Sequence, residues 1–331
     1  MYHLGKIGMG IQLVGSKKIH KLLDMCSKQC LEKDDMRVQY LPLLLIAFII
    51  FQPLFGCTNA QTDSLPLSIG TFNIAWLGDG EGNDVIPRTA EQYKLIADVI
   101  QETSADIIAL QEIENVNAIN KVLIHLPQYS AILGSNGKSQ NVGFLYKKTL
   151  TVESLGEYAP IAIDPSRNRP GYVVKVKKGN FDCYLMSVHF KSTSRFDSTD
   201  EMRTASRIMR REQSQKAMYW IDSITSHAID QDVFIVGDLN DFPKREKEPT
   251  LQALSSSPNV TFLTENMKSC KFQHFYVIDH IIASTSAQKR FLKGTERMID
   301  IHSMYQKDIA EKISDHCPIV MQFDVTQPDN D

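Results

Sequence analysis

The segment Ile235-Val236-Gly237-Asp238-Leu239-Asn240-Asp241-Phe242-Pro243 predicts a strand that ends in acid and amide side chains. Val233 to Val236 are all apolar, as expected for a buried strand. The oxygens of Asp238 and Asn240 follow directly, and oxygen ligands of this kind suit a hard cation such as Mg²⁺. Aspartate and asparagine are also common turn residues, so the segment alone fits a plain turn equally well.

Polar side chains stand at the ends of several other apolar runs. These positions are Asn73, Glu112, His189 and the pair Asp315-His316. Asp279 lies inside an apolar run, where a carboxylate needs a partner to offset the loss of its hydration. One polar residue at a strand end usually belongs to a turn or a cap. Repeated along the chain, the pattern instead predicts a functional site at the rim of a sheet.

The hydrophobic periodicity predicts an α/β fold in one domain, residues 67–326. Helices are expected at 89–102, with Thr89 as the cap, and at 115–126, 201–224 and 249–254. Strands are expected at 67–74, 105–110, 129–133, 142–146, 150–158, 172–177, 181–188, 233–236, 260–263, 275–284 and 313–325. The successive strands between residues 129 and 188 indicate an antiparallel section.

The charge balance limits how the chain binds its partners. The 331 residues carry a net charge of −3. Residues 1–56 hold seven Lys and Arg against four Asp and Glu, which leaves 29 bases and 35 acids in the rest. This balance argues against a protein that grips nucleic acid by bulk positive charge, although it is compatible with a nuclease that has a local basic strip.

An apolar run, Leu41 to Phe55, precedes Cys57. It is short for a membrane span but matches the core of a signal peptide. Leu54-Phe55-Gly56-Cys57 resembles a bacterial lipobox, in which the cysteine is lipidated and becomes the first mature residue. We expect residues 1–56 to be a signal peptide with an N-terminal extension, the signal proper being about 36–56. Residues 57–66 are then a lipidated tether in the bacterial cell envelope, at the periplasmic face or the cell surface. An ordinary signal peptide and a short anchor helix are the alternatives.

The body of the chain holds three cysteines, Cys183, Cys270 and Cys317. An odd number does not make a disulfide framework, and their spacing gives no zinc signature. One bridge with a spare thiol and three buried thiols both remain open.

Six segments, in order, resemble the endonuclease/exonuclease/phosphatase superfamily, and they span residues 68–324. They are Thr71-Phe72-Asn73-Ile74, Leu110-Gln111-Glu112-Ile113-Glu114-Asn115, Val188-His189-Phe190-Lys191-Ser192, Gly237-Asp238-Leu239-Asn240, Ile278-Asp279-His280-Ile281 and Ser314-Asp315-His316-Cys317-Pro318-Ile319. The group includes pancreatic-type deoxyribonucleases, abasic-site endonucleases, neutral sphingomyelinases and inositol-polyphosphate 5-phosphatases. The resemblance implies a four-layer α/β/β/α sandwich with the site at one rim of two packed sheets.

The resemblance also implies a metal site. Glu112 is expected to bind Mg²⁺, with Asn73 beside it and Asp315 completing the shell. Mn²⁺ or Ca²⁺ are alternatives to Mg²⁺, and the number of ions, one or two, stays open.

The remaining polar residues are expected to act on a phosphodiester. Asp238 and Asn240 would hold the attacking water and a phosphate oxygen, or a second metal. His316 would act as the base or stabilise the developing charge, and Asp279 would orient it and favour its charged form. His189 would contact the phosphate or protonate the leaving group. Which histidine is the acid and which the base stays open.

Three positions bear on the environment of the phosphate. Arg169 resembles the arginine that contacts a DNA phosphate in pancreatic-type deoxyribonucleases, and Lys191 is expected to face the same rim. Those enzymes pair the counterpart of His189 with a glutamate, where this chain has Gln140. Gln140 could hold the ring without supplying charge, so we expect His189 to be less basic or to have another partner.

The substrate is predicted to be nucleic acid, with DNA favoured, and no obligate protein partner is evident. Arg203, Arg207 and Arg211, with Arg210 nearby, form a basic stripe on the long helix that fits either a solvated face or a duplex contact. Pancreatic-type enzymes carry an arginine where Glu114 stands, which weakens the parallel with duplex-specific cutting. The segments look most like secreted bacterial nucleases of the superfamily. The alternative is a sphingomyelinase-like or phosphoinositide-type phosphodiesterase or phosphatase with the same metal site. A sphingomyelinase-like diesterase usually has an apolar docking hairpin, and the loops 135–140, 192–200 and 244–248 are polar. A catalytically inactive binding lipoprotein is the third interpretation, and the presence of every expected catalytic residue argues against it.

Overall fold

The computed structural model describes residues 65–82, 84–194 and 196–329, all within the compact unit Asn59–Asp331. The predicted signal segment, Cys57 and nearly all of the tether lie outside the described residues. Within the described part, no helix is both long and apolar enough to cross a membrane.

Two six-stranded mixed sheets form the centre of the fold. In the first sheet the strands lie in the order β11 (Arg297–Met298), β12 (Ile319–Phe323), β1 (Leu67–Leu77), β2 (Ile107–Ile113), β4 (Asn141–Lys147) and β3 (Tyr129–Leu133). In the second sheet the order is β5 (Thr151–Tyr158), β6 (Gly171–Lys178), β7 (Phe181–His189), β8 (Val233–Asp238), β10 (Asp279–Ser284) and β9 (Val260–Phe262). The pairs β1–β2 and β7–β8 are parallel, and the other named pairs are antiparallel.

Helices surround the two sheets, and the longer ones cover the outer faces. They are α1 (Ala90–Thr103), α2 (Val116–Leu123), α3 (Asp200–His227), α4 (Gln252–Ser255), α5 (Thr285–Lys289), α6 (Ile301–Met304) and α7 (Lys307–Ile313), with a short 3₁₀ turn at Ala159–Ile161. Thr89 caps α1 as predicted: its side chain accepts from Gln92 N, and the Gln92 side chain accepts from Thr89 N.

Three apolar layers hold the sandwich together. The middle layer lies between the sheets, where Phe234 of the second sheet meets Phe323 of the first with ring centroids 4.9 Å apart. The outer face of the first sheet packs against residues such as Ile96 of α1, and that of the second sheet against residues such as Ile221 of α3. The predicted four-layer α/β/β/α sandwich is therefore confirmed.

The C-terminal part of the fold differs from the prediction in two places. The expected strand 313–325 is wrong, because α7 ends at Ile313 and β12 begins only at Ile319. Pro318 has no N–H to donate to a sheet, so the chain before it stays a loop. The expected strand 275–284 is shorter, since β10 pairs with β8 and β8 ends at Asp238, opposite Asp279. Asp279 is thus the first residue of its strand and does not lie inside it.

The cysteines form one bridge and leave one spare thiol. Cys270 is bonded to Cys317, and Cys183 is a free, buried thiol. The bridge closes a loop of 47 residues and ties the segment before β10 to the loop before β12. The first segment leads into Asp279, and the second carries Asp315 and His316, which are predicted site residues.

Gly237 is required by the close approach of β7 and β8. Its φ is 146°, and a Cβ at this position would lie 2.0 Å from Val188 O. We predict that Gly237→Ala lowers the free energy of unfolding by at least about 3 kcal/mol, because the parallel strands would have to separate. Urea unfolding measures the loss.

Gly156→Ala is the matched control for Gly237→Ala. Gly156 also has a positive φ, 86°, but no atom lies within 4 Å of the position that a Cβ would take there. This control should cost only about 1–2 kcal/mol, the penalty of the left-handed backbone. An equal loss in the free energy of unfolding in the two variants would show that the close contact between β7 and β8 does not add to the cost of Gly237→Ala.

Candidate active site

Strand register brings three of the predicted residues side by side. His189 pairs with Asp238 across the parallel strands β7 and β8, and Asp238 pairs with Asp279 across the antiparallel strands β8 and β10. All three residues stand at the same edge of the second sheet. The sequence separations give no hint of this, because the neighbours arrive through helices and long loops.

A bulge in β1 positions two more of the predicted residues, Asn73 and Glu112. The register with β2 shifts between Asn73 and Leu77, where Ala75 and Trp76 have φ of 46° and 57°. Asn73 Oδ1 accepts from Ala75 N at 2.9 Å, and Glu112 Oε2 accepts from Trp76 N at 3.0 Å. The strand therefore does not end at Asn73, as the sequence suggested. It bends there, and the bend holds the Glu112 carboxylate.

Arg88 supports this bulge, and sequence reasoning missed it. Its buried guanidinium donates to the carbonyls of Ile74 at 2.8 Å and Ala75 at 2.7 Å, and also to that of Lys312. Burial lowers the pKa of Arg88 to about 10, which still leaves the guanidinium charged at neutral pH. Its position just before the α1 cap gave no signal of this role.

Asp238 is the residue on which the site converges. It is 1 % exposed, and its Oδ2 accepts from Asn73 Nδ2 at 3.1 Å. The same oxygen lies 3.5 Å from His189 Nε2 and 4.0 Å from His316 Nε2. Its other oxygen, Oδ1, accepts from Asn240 N at 2.8 Å. Four predicted residues thus surround one buried carboxylate.

Glu112 is the second carboxylate of the site, and its side chain is 14 % exposed. Its Oε1 accepts from Asn73 Nδ2 at 3.3 Å and lies 3.8 Å from His189 Nε2. Burial raises the pKa of Glu112 despite the hydrogen bonds from Asn73 and Trp76. Burial, together with Asp279, also raises the pKa of Asp238. The neighbours of each carboxylate do not fully replace the hydration that it has lost. A bound cation would stabilise the charged form of both carboxylates.

The donor set fits a hard divalent ion. Ligand atoms of Asp238, Asp279 and His316 lie within 4.8 Å of one another, and Glu112 and Asp238 share the Asn73 amide. Buried carboxylate oxygens are the ligands that Mg²⁺ prefers. Asn73 presents its amide nitrogen to both carboxylates, so serving as an oxygen ligand would require rotation of this amide.

Asp315 joins the site through His316. Its Oδ1 lies 3.9 Å from His316 Nε2, and its side chain is 58 % exposed. Among the described residues, no hydrogen bond links Asp315 to Asn73. Its role as a metal ligand therefore stays a prediction.

His316 and Asp279 form a tight pair. His316 Nδ1 lies 2.7 Å from Asp279 Oδ2, as the proposed orienting role requires. Burial opposes the charge on His316, but Asp279, Asp238 and Asp315 outweigh it and raise the pKa of His316 well above its usual value. The Ser314 hydroxyl accepts from His316 N at 2.9 Å and donates to Asn73 O at 2.7 Å, which fixes the loop to β1.

His189 has the opposite charge state. Burial, followed by the charges of Arg169, His316 and Lys191, holds the pKa of His189 well below its usual value. Its Nδ1 is buried and has no hydrogen-bond partner among the described residues. Gln140 does not hold this ring. The Gln140 side-chain oxygen accepts from Arg169 Nη2 at 2.7 Å instead. The lowered pKa of His189 therefore comes mainly from its own burial.

The predicted phosphate-binding residues behave differently from each other. Arg169 lies at the site, with Nη1 3.4 Å from His189 O, and its charge acts on Glu112 and Asp238. Lys191 Nζ donates to Ser192 O and lies 3.7 Å from Asp197, and its charge acts on His189. Asn240, with φ of 53°, donates its Nδ2 to Phe190 O.

The basic stripe is largely occupied by internal partners. Arg203 pairs with Asp200 at 2.7 Å, and Arg207 pairs with Glu248 at 3.1 Å. Arg210 is buried and donates to Thr250 Oγ1 at 2.9 Å and to Lys191 O at 2.6 Å.

Glu114, which stands where pancreatic-type enzymes carry an arginine, has an internal partner. Its side chain accepts from Asp79 N at 2.9 Å.

We predict that Mg²⁺ stabilises the protein through Glu112. A hundredfold excess of Mg²⁺ over its dissociation constant should add about 2.7 kcal/mol to the free energy of unfolding. Glu112→Gln should abolish most of this gain, because it removes the charge but keeps the shape. Thermal unfolding with and without Mg²⁺ measures it. Asp98→Asn, a change in the exposed pair with Lys94, is the control and should keep the full gain. Equal gains in all three proteins would contradict the assignment.

Solved structures share this fold at low sequence identity. Truncated TDP2 from Caenorhabditis elegans has a TM-score of 0.55 and 18% identity, over 78% of this chain and 98% of that chain. An endonuclease/exonuclease/phosphatase from Bacteroides vulgatus has a TM-score of 0.54 and 14% identity, over 78% and 98%. The human Nocturnin catalytic domain with bound sulfate has a TM-score of 0.52 and 15% identity, over 78% and 94%.

Sequence comparison adds the family to this fold. No curated protein matches the chain significantly. The family model described as "Endonuclease/Exonuclease/phosphatase family" matches residues 70–316, which span every site residue described above. The chain therefore belongs to the endonuclease/exonuclease/phosphatase family.

Proposed function

We propose that this protein is a Mg²⁺-dependent phosphodiesterase that cuts nucleic acid without reading its sequence. The observation that carries the proposal is the meeting of Glu112 and Asp238 at one buried amide, with the His316–Asp279 pair beside them. A bound Mg²⁺ would supply charge neutralisation at a phosphate oxygen, and Mn²⁺ or Ca²⁺ are the alternatives.

The two histidines take different parts because their charges differ. His316, positively charged and held by Asp279, stabilises the negative charge that develops on the phosphate or donates a proton to it. His189 is neutral and contacts the phosphate. Asp238 and Asn240 hold the attacking water, and the Asp238 carboxylate can accept its proton.

Nucleic acid, with DNA favoured, is the substrate that the surroundings support. Arg169 places a guanidinium beside both carboxylates, and the N–H groups that do not bind Gln140 and His189 O can donate to a phosphate. Arg203, Arg207 and Arg210 have internal partners, and Arg211 is the exposed member of the stripe that stays available to a duplex. Glu114 is bonded to Asp79 N and so is not directed at a substrate. We therefore propose that the nucleic acid is bound mainly through phosphates close to the scissile bond, and phosphate contacts carry no sequence preference.

The location completes the proposal. A lipid on Cys57 would tether the enzyme in the bacterial cell envelope, with residues 57–66 as the spacer. The lipobox-like sequence Leu54-Phe55-Gly56-Cys57 supports this placement.

A phospholipid diesterase, such as a sphingomyelinase-like enzyme, is the second candidate. The observation that favours it is a pair of exposed phenylalanines near the site, Phe272 and Phe275. They lie in the segment before β10, outside the loops in which the sequence showed no apolar hairpin.

We predict that Asp279→Asn lowers kcat for diester hydrolysis by about 10²–10⁴ while KM changes much less, because the charge of His316 is lost. Steady-state kinetics on a small diester measures both constants. The control is Asp308→Asn at the exposed start of α7, which should leave kcat unchanged. A change confined to KM would assign Asp279 to substrate binding instead.

We predict that the protein nicks supercoiled plasmid with Mg²⁺ and that EDTA stops the reaction. His316→Ala should slow nicking by about 10² or more, since it removes the group that stabilises the phosphate charge. His125→Ala, a change at an exposed histidine, should leave the rate unchanged. Gel electrophoresis follows the conversion. Intact plasmid together with Mg²⁺-dependent hydrolysis of sphingomyelin would replace the nuclease with the lipid diesterase.

A further inference from the structure

Aromatic rings and lysines alternate on the surface beside His316. We call this area the aromatic–lysine surface; its members are Lys244, Lys268, Lys271, Phe272, Phe275 and Tyr276. Phe272 is 58 % exposed and Phe275 is 64 % exposed, and their rings meet edge to face with centroids 6.4 Å apart. Single exposed apolar residues are common on proteins, whereas adjacent exposed rings mark a contact surface.

The lysines stand over the rings. Lys268 Nζ lies 3.3 Å from the centroid of Tyr276, and Lys244 Nζ lies 5.7 Å from the same ring. Lys271 Nζ lies 5.8 Å from the centroid of Phe272. Within the described residues, none of the three lysines forms an ion pair with an acid. Their charge therefore remains free to attract an anion, although the folded part of the chain is acidic overall.

A cavity connects this surface to the catalytic groups. It measures about 210 Å³, and its walls include Phe272, Phe275 and Tyr276 together with Asp279, Asp315 and His316. Pockets for drug-sized ligands measure roughly 300–1,000 Å³, so this cavity has room for one planar ring system and little more. A ring held there would be close to a phosphate bound beside His316.

A disulfide joins two segments that line this cavity. Cys270 comes from the segment that carries the aromatic rings, and Cys317 directly follows His316. The rings therefore keep a fixed position relative to the catalytic loop. Rings in a fixed position favour recognition of a substrate group that is joined to the scissile phosphate by a few covalent bonds.

We infer that the aromatic–lysine surface binds single-stranded nucleic acid, with an unpaired base next to the scissile phosphate entering the cavity and stacking on its rings. Base stacking on aromatic side chains, combined with cations along the backbone, is the general way in which single strands are bound without sequence preference. A base within a duplex is already stacked and could enter only by leaving its helix. The inference rests on the proposed function and deepens it, because it makes single strands the preferred substrate.

Binding is measured without turnover, so that it is independent of activity. The full-length protein is titrated, in EDTA, into a fluorescein-labelled 12-residue oligothymidylate and into a duplex of the same length, and fluorescence anisotropy is followed. We expect tighter binding of the single strand. The double variant Phe272→Ala/Phe275→Ala should weaken it about 10-fold or more, the size of one lost base stack. Phe272→Trp/Phe275→Trp should restore it.

Matched variants separate stacking from charge and from folding. Tyr219→Ala removes a ring on α3 that is 68 % exposed, and it should not change the affinity. Lys268→Gln/Lys271→Gln should lower the slope of log Kd against log salt by about 1.4, since each lost contact with a single strand contributes roughly 0.7. Thermal unfolding confirms that each variant is folded.

Two results would overturn the inference. One is unchanged oligothymidylate binding in the double alanine variant, or no binding by the unmodified protein. The other is binding of phosphatidylglycerol–phosphatidylcholine vesicles that depends on Phe272 and Phe275 while oligothymidylate binding does not. Hydrolysis of bis(p-nitrophenyl) phosphate, which has no base, is assayed in parallel with Mg²⁺. If this hydrolysis persists while the inference fails, the proposed phosphodiesterase stands; if it is absent, the proposed function fails by itself.

Discussion

Burial of two carboxylates at the meeting edge of two sheets is the constraint on which the structure depends. Removing an ionised carboxylate from water costs several kcal/mol unless charge or hydrogen bonds replace the hydration. Here a single amide group, from Asn73, donates to both Glu112 and Asp238. The pKa of each carboxylate is raised by burial, which shows that the chain compensates them only in part. A divalent cation supplies the kind of charge that is missing, so the same constraint links the fold to the expected chemistry.

The surrounding fold serves to hold these groups in place. The pairing of β7, β8 and β10 sets His189, Asp238 and Asp279 in a row, and this row requires the close approach of β7 and β8. On the other sheet, the bulge in β1 turns its backbone N–H groups toward the site, and Arg88 binds the carbonyls that the bulge exposes. Positive φ at Glu112 and Asn240 adds local strain, as is common where a backbone is shaped for a site.

The sequence predicted much of this, and the misses have physical causes. The layers, the long helices and the grouping of the polar residues followed from periodicity and from the resemblance. Arg88 was missed because a buried arginine that binds carbonyls leaves no pattern in sequence. The partner of Gln140 was also missed, since a side-chain hydrogen bond to Arg169 depends on how two loops meet. The last strand was predicted to begin at Ile313 but begins at Ile319, because apolar spacing alone does not distinguish the last turn of α7 from a strand. The aromatic–lysine surface escaped notice because its residues lie in an irregular segment, where exposure cannot be inferred from spacing.

The most direct test is to locate the ion. A crystal of the protein grown with Mn²⁺ and measured near the manganese absorption edge would show bound metal as an anomalous difference peak. The expected peak lies about 2 Å from an oxygen of Glu112, at the distance of a direct ligand for a small hard cation. The contradicting result is a map with no peak beside Glu112 and Asp238, or with manganese only at the separate acidic cluster of Asp79, Asp84 and Glu114.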